Sequence, residues 1–223
     1  SVIPNSPAEE AGIKPGDIDS LQKTPWRIFP KIYEDIEALG LGSPQVYLPM
    51  ISESMPFHPV DATYAGIGSD IDYLTGTCLD EGSFFNALGV SPFQDRSEQL
   101  LTKFSIKKED LLRSYLSARP ELNSEEAATT MSADMWFRVP TIRIAEGHTA
   151  GSKARTFMYL FTWESQFLGA THAMDGVVFG NGVPFGFLAG FNSPDKVSQQ
   201  MRKSWINFAK YGDPSFDSFR WPE

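Results

Sequence analysis

The sequence contains one cysteine, Cys78, which excludes a disulfide bond within the chain and any cysteine-rich metal site. It has no run of roughly 18 apolar residues, the length that a membrane-spanning helix needs. Basic residues are also few, since 19 lysines and arginines stand against 28 acidic residues and give a net charge of −9. Such a charge repels phosphate backbones and anionic lipids, so neither nucleic acid nor a membrane is an expected partner.

The composition that remains is that of a globular protein. Hydrophobic residues make up 41% of the chain and aromatic residues 13%. A chain of this length normally buries about 70% of its unfolded surface. We therefore expect a soluble, folded protein, cytoplasmic or secreted, with a sizeable hydrophobic core.

Two segments carry the residue types of acid–base chemistry. The first is Thr77-Cys-Leu-Asp-Glu-Gly-Ser-Phe-Phe85, at the end of a short strand-like run over residues 70–77. The second is Leu168-Gly-Ala-Thr-His-Ala-Met-Asp-Gly176, in which glycines flank a histidine. A hydrolytic triad needs such a pair, because the acid holds one nitrogen of the histidine while the other nitrogen accepts a proton from a nucleophile.

These segments resemble the acid and histidine motifs of the type-B carboxylesterases, the cholinesterase-like branch of the α/β hydrolases. In that family the acid lies in a D-E-G-x-x-F turn and the base in G-A-x-H. The resemblance continues through residues 132–140, 159–163 and 205–214 to residues 221–222, and so covers nearly the whole chain. It implies an α/β class: the C-terminal part of an α/β-hydrolase fold, with a few sheet strands and a large helical insertion.

The resemblance also implies roles for individual residues. His172 would be the general base, and Glu81 would orient it and stabilise the imidazolium that forms during attack. The match to D-E-G-x-x-F selects Glu81 over its neighbour Asp80, whose side chain is expected to point away or to cap the following turn. Asp175 is expected to brace the histidine loop.

Aromatic residues near these motifs are candidates for the substrate pocket. Esterases bind uncharged substrates largely through apolar contacts, although core packing is the alternative for each aromatic residue. The candidates are Phe84, Phe85, Trp163 and Phe167. The expected substrate is a small uncharged ester, and no metal or organic cofactor is implied.

The nucleophile is missing from the sequence. α/β hydrolases run serine, acid, histidine along the chain, and they carry the serine in a G-x-S-x-G elbow. The sequence contains no G-x-S-x-G and no Gly-Gly pair that could form a glycine-rich oxyanion loop. We therefore expect the C-terminal part of a serine carboxylesterase, inactive in isolation, whose partner is an N-terminal segment carrying the serine.

Two alternatives remain at this point. One is that Cys78, three residues before Glu81, is a catalytic thiol. No histidine is near it in sequence, however, and a buried structural thiol is the commoner case. The other alternative is a non-catalytic binding or adhesion module of the cholinesterase-like family, in which the fold persists and the triad is broken. Serine at the elbow of the N-terminal segment would indicate the enzyme, and another residue there would indicate the binder.

The pattern divides the chain into four regions. These are a covering segment (1–69), an acid-bearing strand and turn (70–93), a helical, cap-like region (94–150), and a histidine-bearing strand, loop and C-terminal helix (151–223). Within them we predict a short helix between Ser6 and Gly12, a helix start at Ser105 and a helix break at Pro140. The last helix is predicted to begin at Ser193 and Pro194, to bury one apolar face and to end at Gly212.

A strand that ends at Thr77 would leave an unpaired edge if its neighbours lie in another segment, and such edges pair with other chains. We predict that the 223-residue chain is stable only beside an N-terminal partner or as a self-associated species. Sedimentation velocity and a thermal melt check this prediction. A monodisperse monomer that melts cooperatively would contradict it.

Overall fold

The computed structural model describes residues 18–28, 30–31, 51–53, 55–89, 94–151, 153–180, 189–190, 194–217 and 219–222. The chain divides into two compact units, residues 1–56 and 57–223. In the first unit, helix α1 spans Ile18–Lys23. The predicted helix between Ser6 and Gly12 lies outside the described residues.

The second unit combines two strands with helices on the chain segments before, between and after them. The strands are β1, Tyr73–Cys78, and β2, Thr156–Phe161. The helices are α2 (Pro59–Tyr64), α3 (Ser83–Ala87), α4 (Gln94–Lys103), α5 (Lys108–Ala118), α6 (Ser124–Ala133), α7 (Val139–Gly151), α8 (Met174–Phe179) and α9 (Asp195–Tyr211). A π-helical turn, Asp134–Arg138, joins α6 to α7. No helix among these described segments is long and apolar enough to cross a membrane.

The two strands pair in parallel, from Tyr73 opposite Thr156 to Cys78 opposite Phe161. Parallel neighbours require a crossover, which helices α3 to α7 provide here. The pairing extends past the strand ends through a single bridge between Asp80 and Thr171. Because parallel strands end at the same edge of a sheet, the turn after β1 and the loop after β2 lie side by side.

A hydrophobic core lies around the carboxyl ends of the strands and the helix that follows the β2 loop. Its buried members are Cys78, Phe161, Ala170, Met174, Val177, Val178 and Ala189, with Leu79, Tyr159, Trp163, Val197 and Met201 packed against them. The core therefore anchors both segments that carry the acid and histidine motifs.

The last helix follows the predicted pattern. Val197 and Met201 of α9 contact the core, and Trp205 packs its ring 5.2 Å from that of Tyr159. The helix ends at Gly212, which has a left-handed φ of 67° and donates its N–H to the carbonyl of Phe208. Pro194 immediately precedes the helix, and Ser193 lies outside the described residues.

The prediction of a helix start at Ser105 was wrong. Ser105 has φ 56° and ends the preceding helix α4, because its N–H donates to Thr102 and the next N–H, of Ile106, donates to Leu101. This is the hydrogen-bond pattern of a Schellman C-cap, with serine at the position that glycine usually takes. The next helix begins three residues later, at Lys108.

The predicted break at Pro140 was also wrong. Proline lacks an N–H, and its ring crowds the carbonyl four residues earlier, which normally kinks or ends a helix. Here the N–H of Val139 donates five residues back, to Asp134, and this wider π turn accommodates the proline. Helices α6 and α7 therefore form one continuous rod with a π turn between them.

Gly76 provides a stability test of the strand pair. It lies opposite Tyr159, and a β-carbon at residue 76 would overlap the Tyr159 ring. That ring is held by Trp205 and by a hydrogen bond of 2.7 Å to Asp175. We expect Gly76→Ala to lower the free energy of unfolding by about 1–3 kcal/mol, the usual range for overpacking.

Urea denaturation measures this change, with Gly176→Ala in α8 as the control. Gly176 has nothing within 4 Å of the added methyl group. The control should be neutral or stabilising by up to about 1 kcal/mol, because alanine favours helix more than glycine does. Equal urea midpoints for Gly76→Ala and the unmodified chain would contradict the close packing of Tyr159.

Candidate active site

Glu81 lies in the turn between β1 and α3, and it is buried. Its Oε1 accepts a hydrogen bond of 2.7 Å from the backbone N–H of Cys78, the last residue of the strand. The next residue, Gly82, packs directly on helix α6, where a side chain would overlap Thr129. The strand end and the glycine together fix the carboxylate and leave its second oxygen available.

His172 lies in the loop between β2 and α8. The backbone of this loop is held by a bridge between Ser165 and Gly169 and by the left-handed conformation of Ala173, whose φ is 62°. Nδ1 of His172 lies 2.7 Å from Oε2 of Glu81. The side chain is 37% exposed. A histidine bound at Nδ1 keeps Nε2 for proton exchange with a reacting group.

Asp80 contacts the histidine loop through its backbone as well as its side chain. Its N–H donates to the carbonyl of Ala170, and its Oδ2 accepts from the N–H of the same residue at 3.3 Å. The Arg119 guanidinium lies 3.6 Å from its Oδ1. The side chain of Asp80 therefore turns away from the imidazole, and the residue joins the acid turn to the histidine loop.

Asp175, in the first turn of α8, accepts a hydrogen bond of 2.7 Å from the Tyr159 hydroxyl. Tyr159 belongs to β2, so this contact ties the helix that follows His172 to the strand that precedes it. Asp175 is also close enough to His172 for its charge to favour the imidazolium.

The four aromatic candidates separate into two groups. Phe85 lies 5.3 Å from the His172 ring, centroid to centroid, and Phe84 packs edge to face on Phe85. Trp163 instead lines a cleft of about 380 Å³ between β2 and α9, and Phe167, 63% exposed, lines a polar cleft of about 360 Å³ beside Asp80. Of the four candidates, Phe85 is the one with a described ring contact to the imidazole.

The structure adds a residue that the sequence analysis did not select. Phe137, in the π turn, has its ring 5.0 Å from that of His172. Phe85 and Phe137 both contact the imidazole, and such apolar rings limit access of water. The residue lies within the stretch 132–140 that carries the family resemblance, but its position depends on the π turn, which has no recognisable sequence signal.

The electrostatics of the site favour a charged histidine. The hydrogen bond to Glu81 raises the pKa of His172, partial burial opposes this, and the charges of Glu81 and Asp175 raise it further. Burial raises the pKa of the Cys78 thiol, which is 1% exposed and packs in the core. A buried, protonated thiol is a poor nucleophile. Within the described ranges, no group of three or more His, Cys, Asp or Glu side chains is arranged to hold a metal ion.

The parallel strands and the helices that connect and follow them have the α/β-hydrolase fold. Solved structures agree on the fold. A PNB esterase aligns with 97% of this chain and 46% of its own, at a TM-score of 0.69 and 24% identity. Juvenile hormone esterase from Manduca sexta aligns with 97% of this chain and 48% of its own, at a TM-score of 0.59 and 20% identity.

The chain belongs to the carboxylesterase family, whose family model matches residues 17–223. It is 27% identical to bile salt-activated lipase from Homo sapiens, over 93% of this chain and 32% of the relative. It is 29% identical to para-nitrobenzyl esterase from Bacillus subtilis, over 76% of this chain and 35% of the relative. The chain thus spans about a third of the length of these curated relatives.

The contact between Glu81 and His172 predicts a pH dependence. We expect the pKa of His172 to lie above about 6.5, its ordinary value, and to fall in Glu81→Gln, where partial burial is opposed only by the weaker effect of the Asp175 charge. The pH dependence of carbethoxylation of His172 by diethyl pyrocarbonate, followed by peptide mass mapping, measures this pKa. Asp80→Asn is the control, because it removes the neighbouring charge and leaves the 2.7 Å contact in place.

The contact between Glu81 and His172 should also make the free energy of unfolding depend on pH. Because the pKa of His172 is higher in the folded state, the pair stabilises the fold fully below about pH 6.5, and this contribution is lost as pH rises through the folded-state pKa. Glu81→Gln should remove that decline. An unchanged pKa and an unchanged pH dependence of stability in this variant would contradict the hydrogen bond.

Proposed function

We propose that this chain contributes the acid and the base of a serine carboxylesterase, with Glu81 as the orienting acid and His172 as the general base. The observation that carries the proposal is the 2.7 Å contact between His172 Nδ1 and Glu81 Oε2, at the ends of adjacent parallel strands. Membership of the carboxylesterase family supports it.

In the proposed reaction, Nε2 of His172 takes the hydroxyl proton of a serine as the serine oxygen attacks the ester carbonyl. Glu81 then stabilises the imidazolium by accepting from Nδ1–H. The tetrahedral intermediate collapses, the imidazolium gives its proton to the departing alcohol, and an acyl-enzyme remains. Water attacks this acyl group through the same base, which releases the carboxylic acid and restores the serine.

The nucleophilic serine is proposed to come from a segment outside these 223 residues. The sequence has no G-x-S-x-G elbow, and it spans about a third of the relatives that it matches. The same segment would supply the backbone donors of the oxyanion hole. The chain alone is therefore proposed to be inactive, because triad members act as a unit.

The surroundings of the imidazole favour an uncharged substrate. Phe85 and Phe137 offer apolar ring surface beside His172, and the net charge of −9 disfavours anionic molecules. Small carboxylic esters fit these conditions. Asp175 is proposed to brace the histidine loop through its hydrogen bond to Tyr159.

The experiment compares hydrolysis of p-nitrophenyl butyrate by two proteins. One is the isolated chain, and the other is a chimera in which this chain replaces the matched portion of the Bacillus subtilis para-nitrobenzyl esterase. We expect no turnover by the isolated chain and measurable turnover by the chimera. His172→Ala in the chimera should reduce kcat by about 10⁴–10⁶-fold, as loss of a triad member does.

His58→Ala is the matched control, since His58 caps helix α2 by accepting from the Val60 N–H and has no contact with His172 or Glu81 among the described residues. It should leave turnover unchanged. A folded chimera that does not turn over, or one that His172→Ala leaves active, would contradict the proposed role and favour a binding module. Activity of the isolated chain that depends on His172, with a single polypeptide by mass, would mean that the nucleophile lies within these residues.

A further inference from the structure

The π turn between α6 and α7 brings a cation to the turn that carries Glu81. Arg138, the last residue of the π turn, donates through Nη2 to the backbone carbonyls of Leu79, at 2.7 Å, and Cys78, at 3.2 Å. These two carbonyls lie at the end of β1, immediately before Asp80 and Glu81. The Arg138 side chain is 20% exposed, so its contacts with the two carbonyls are partly shielded from water.

The Arg138 guanidinium is itself held in place by a second set of contacts. Its Nη1 lies 3.1 Å from Oδ1 of Asp134, one turn earlier in the same helical segment. The other oxygen, Oδ2, accepts a hydrogen bond of 3.0 Å from the hydroxyl of Tyr115 on helix α5. A planar guanidinium with donors in a fixed fork suits such a bridge between a carboxylate and two carbonyls.

These contacts form a continuous path to the imidazole. Tyr115 fixes Asp134, Asp134 fixes Arg138, and Arg138 fixes the peptide groups at the end of β1. The N–H of Cys78, in the same stretch of backbone, holds Oε1 of Glu81 at 2.7 Å. The other oxygen of Glu81, Oε2, lies 2.7 Å from Nδ1 of His172.

We propose that Arg138 is a positioning residue for the acid–base pair: by fixing the carbonyls of Cys78 and Leu79, it holds the Glu81 carboxylate against His172. A role for Arg138 in catalysis rests on the proposed function, in which Glu81 and His172 are the acid and the base. The geometric content of the proposal is separate, because it concerns the contact between Glu81 and His172 whether or not an ester is hydrolysed.

The test uses the full 223-residue chain in whichever form is stable, self-associated or beside an N-terminal partner, and measures the pKa of His172 from the pH dependence of its reaction with diethyl pyrocarbonate. Loss of a nearby cation would by itself raise the pKa of a histidine. Loss of positioning has the opposite effect, because the hydrogen bond to Glu81 weakens. We expect Arg138→Gln to lower the pKa of His172 by about 0.5–1 pH unit, toward its ordinary value.

Two further variants separate geometry from charge and from misfolding. Arg138→Lys keeps the charge but loses the fork, so we expect a smaller fall in the same direction. Arg143→Gln is the matched control, since Arg143 lies on the same rod, is 59% exposed and pairs only with Glu146 among the described residues. It should leave the pKa of His172 unchanged.

An unchanged or raised pKa in folded Arg138→Gln would overturn the proposal, as would an equal fall in Arg143→Gln. Circular dichroism monitors folding. If Arg138→Gln does not fold, Arg138→Lys decides, and a pKa equal to that of the unmodified chain would overturn the proposal. Failure of the ester-hydrolysis experiment would leave this readout intact, so the two proposals fail separately.

Discussion

The parallel pairing of β1 with β2 is the constraint on which the rest of the site depends. Parallel strands deliver their following segments to one edge of a sheet, and here the register from Tyr73 opposite Thr156 to Cys78 opposite Phe161 sets how far each segment projects. A separate parallel bridge between Asp80 and Thr171 then joins the turn after β1 to the loop after β2. With this bridge in place, Glu81 and His172 each follow a paired residue by one position, and their side chains meet.

Because Glu81 is buried, its carboxylate needs the hydrogen bond to His172. A buried carboxylate without partners would cost several kcal/mol, and the cost falls only when its oxygens accept hydrogen bonds. The Cys78 N–H occupies one oxygen and His172 the other. The contact that would orient a general base is thus also the contact that satisfies a buried acid, and stability and geometry favour the same arrangement.

The sequence predicted the contact between Glu81 and His172 better than it predicted how the backbone turns. Glu81 and His172 stand in short motifs, and the final helix has an apolar stripe with a glycine at its end, so local residues suffice to find them. Ser105 and Pro140 were misjudged because a C-cap and a π turn depend on hydrogen bonds between backbone groups. Phe137 and Arg138 were missed for the same reason, since the π turn decides which way their side chains face.

The helical insertion between the two motifs therefore does more than complete the crossover. A π turn adds one residue to a helical turn. The side chains that follow it therefore point in different directions from those they would have in a regular α-helix through residues 124–151. With the π turn, Phe137 contacts His172 while the next residue, Arg138, reaches the carbonyls of Cys78 and Leu79. One of these adjacent residues thus contacts His172 and the other the backbone just before Glu81, which explains how a segment remote in sequence from both motifs takes part in one site.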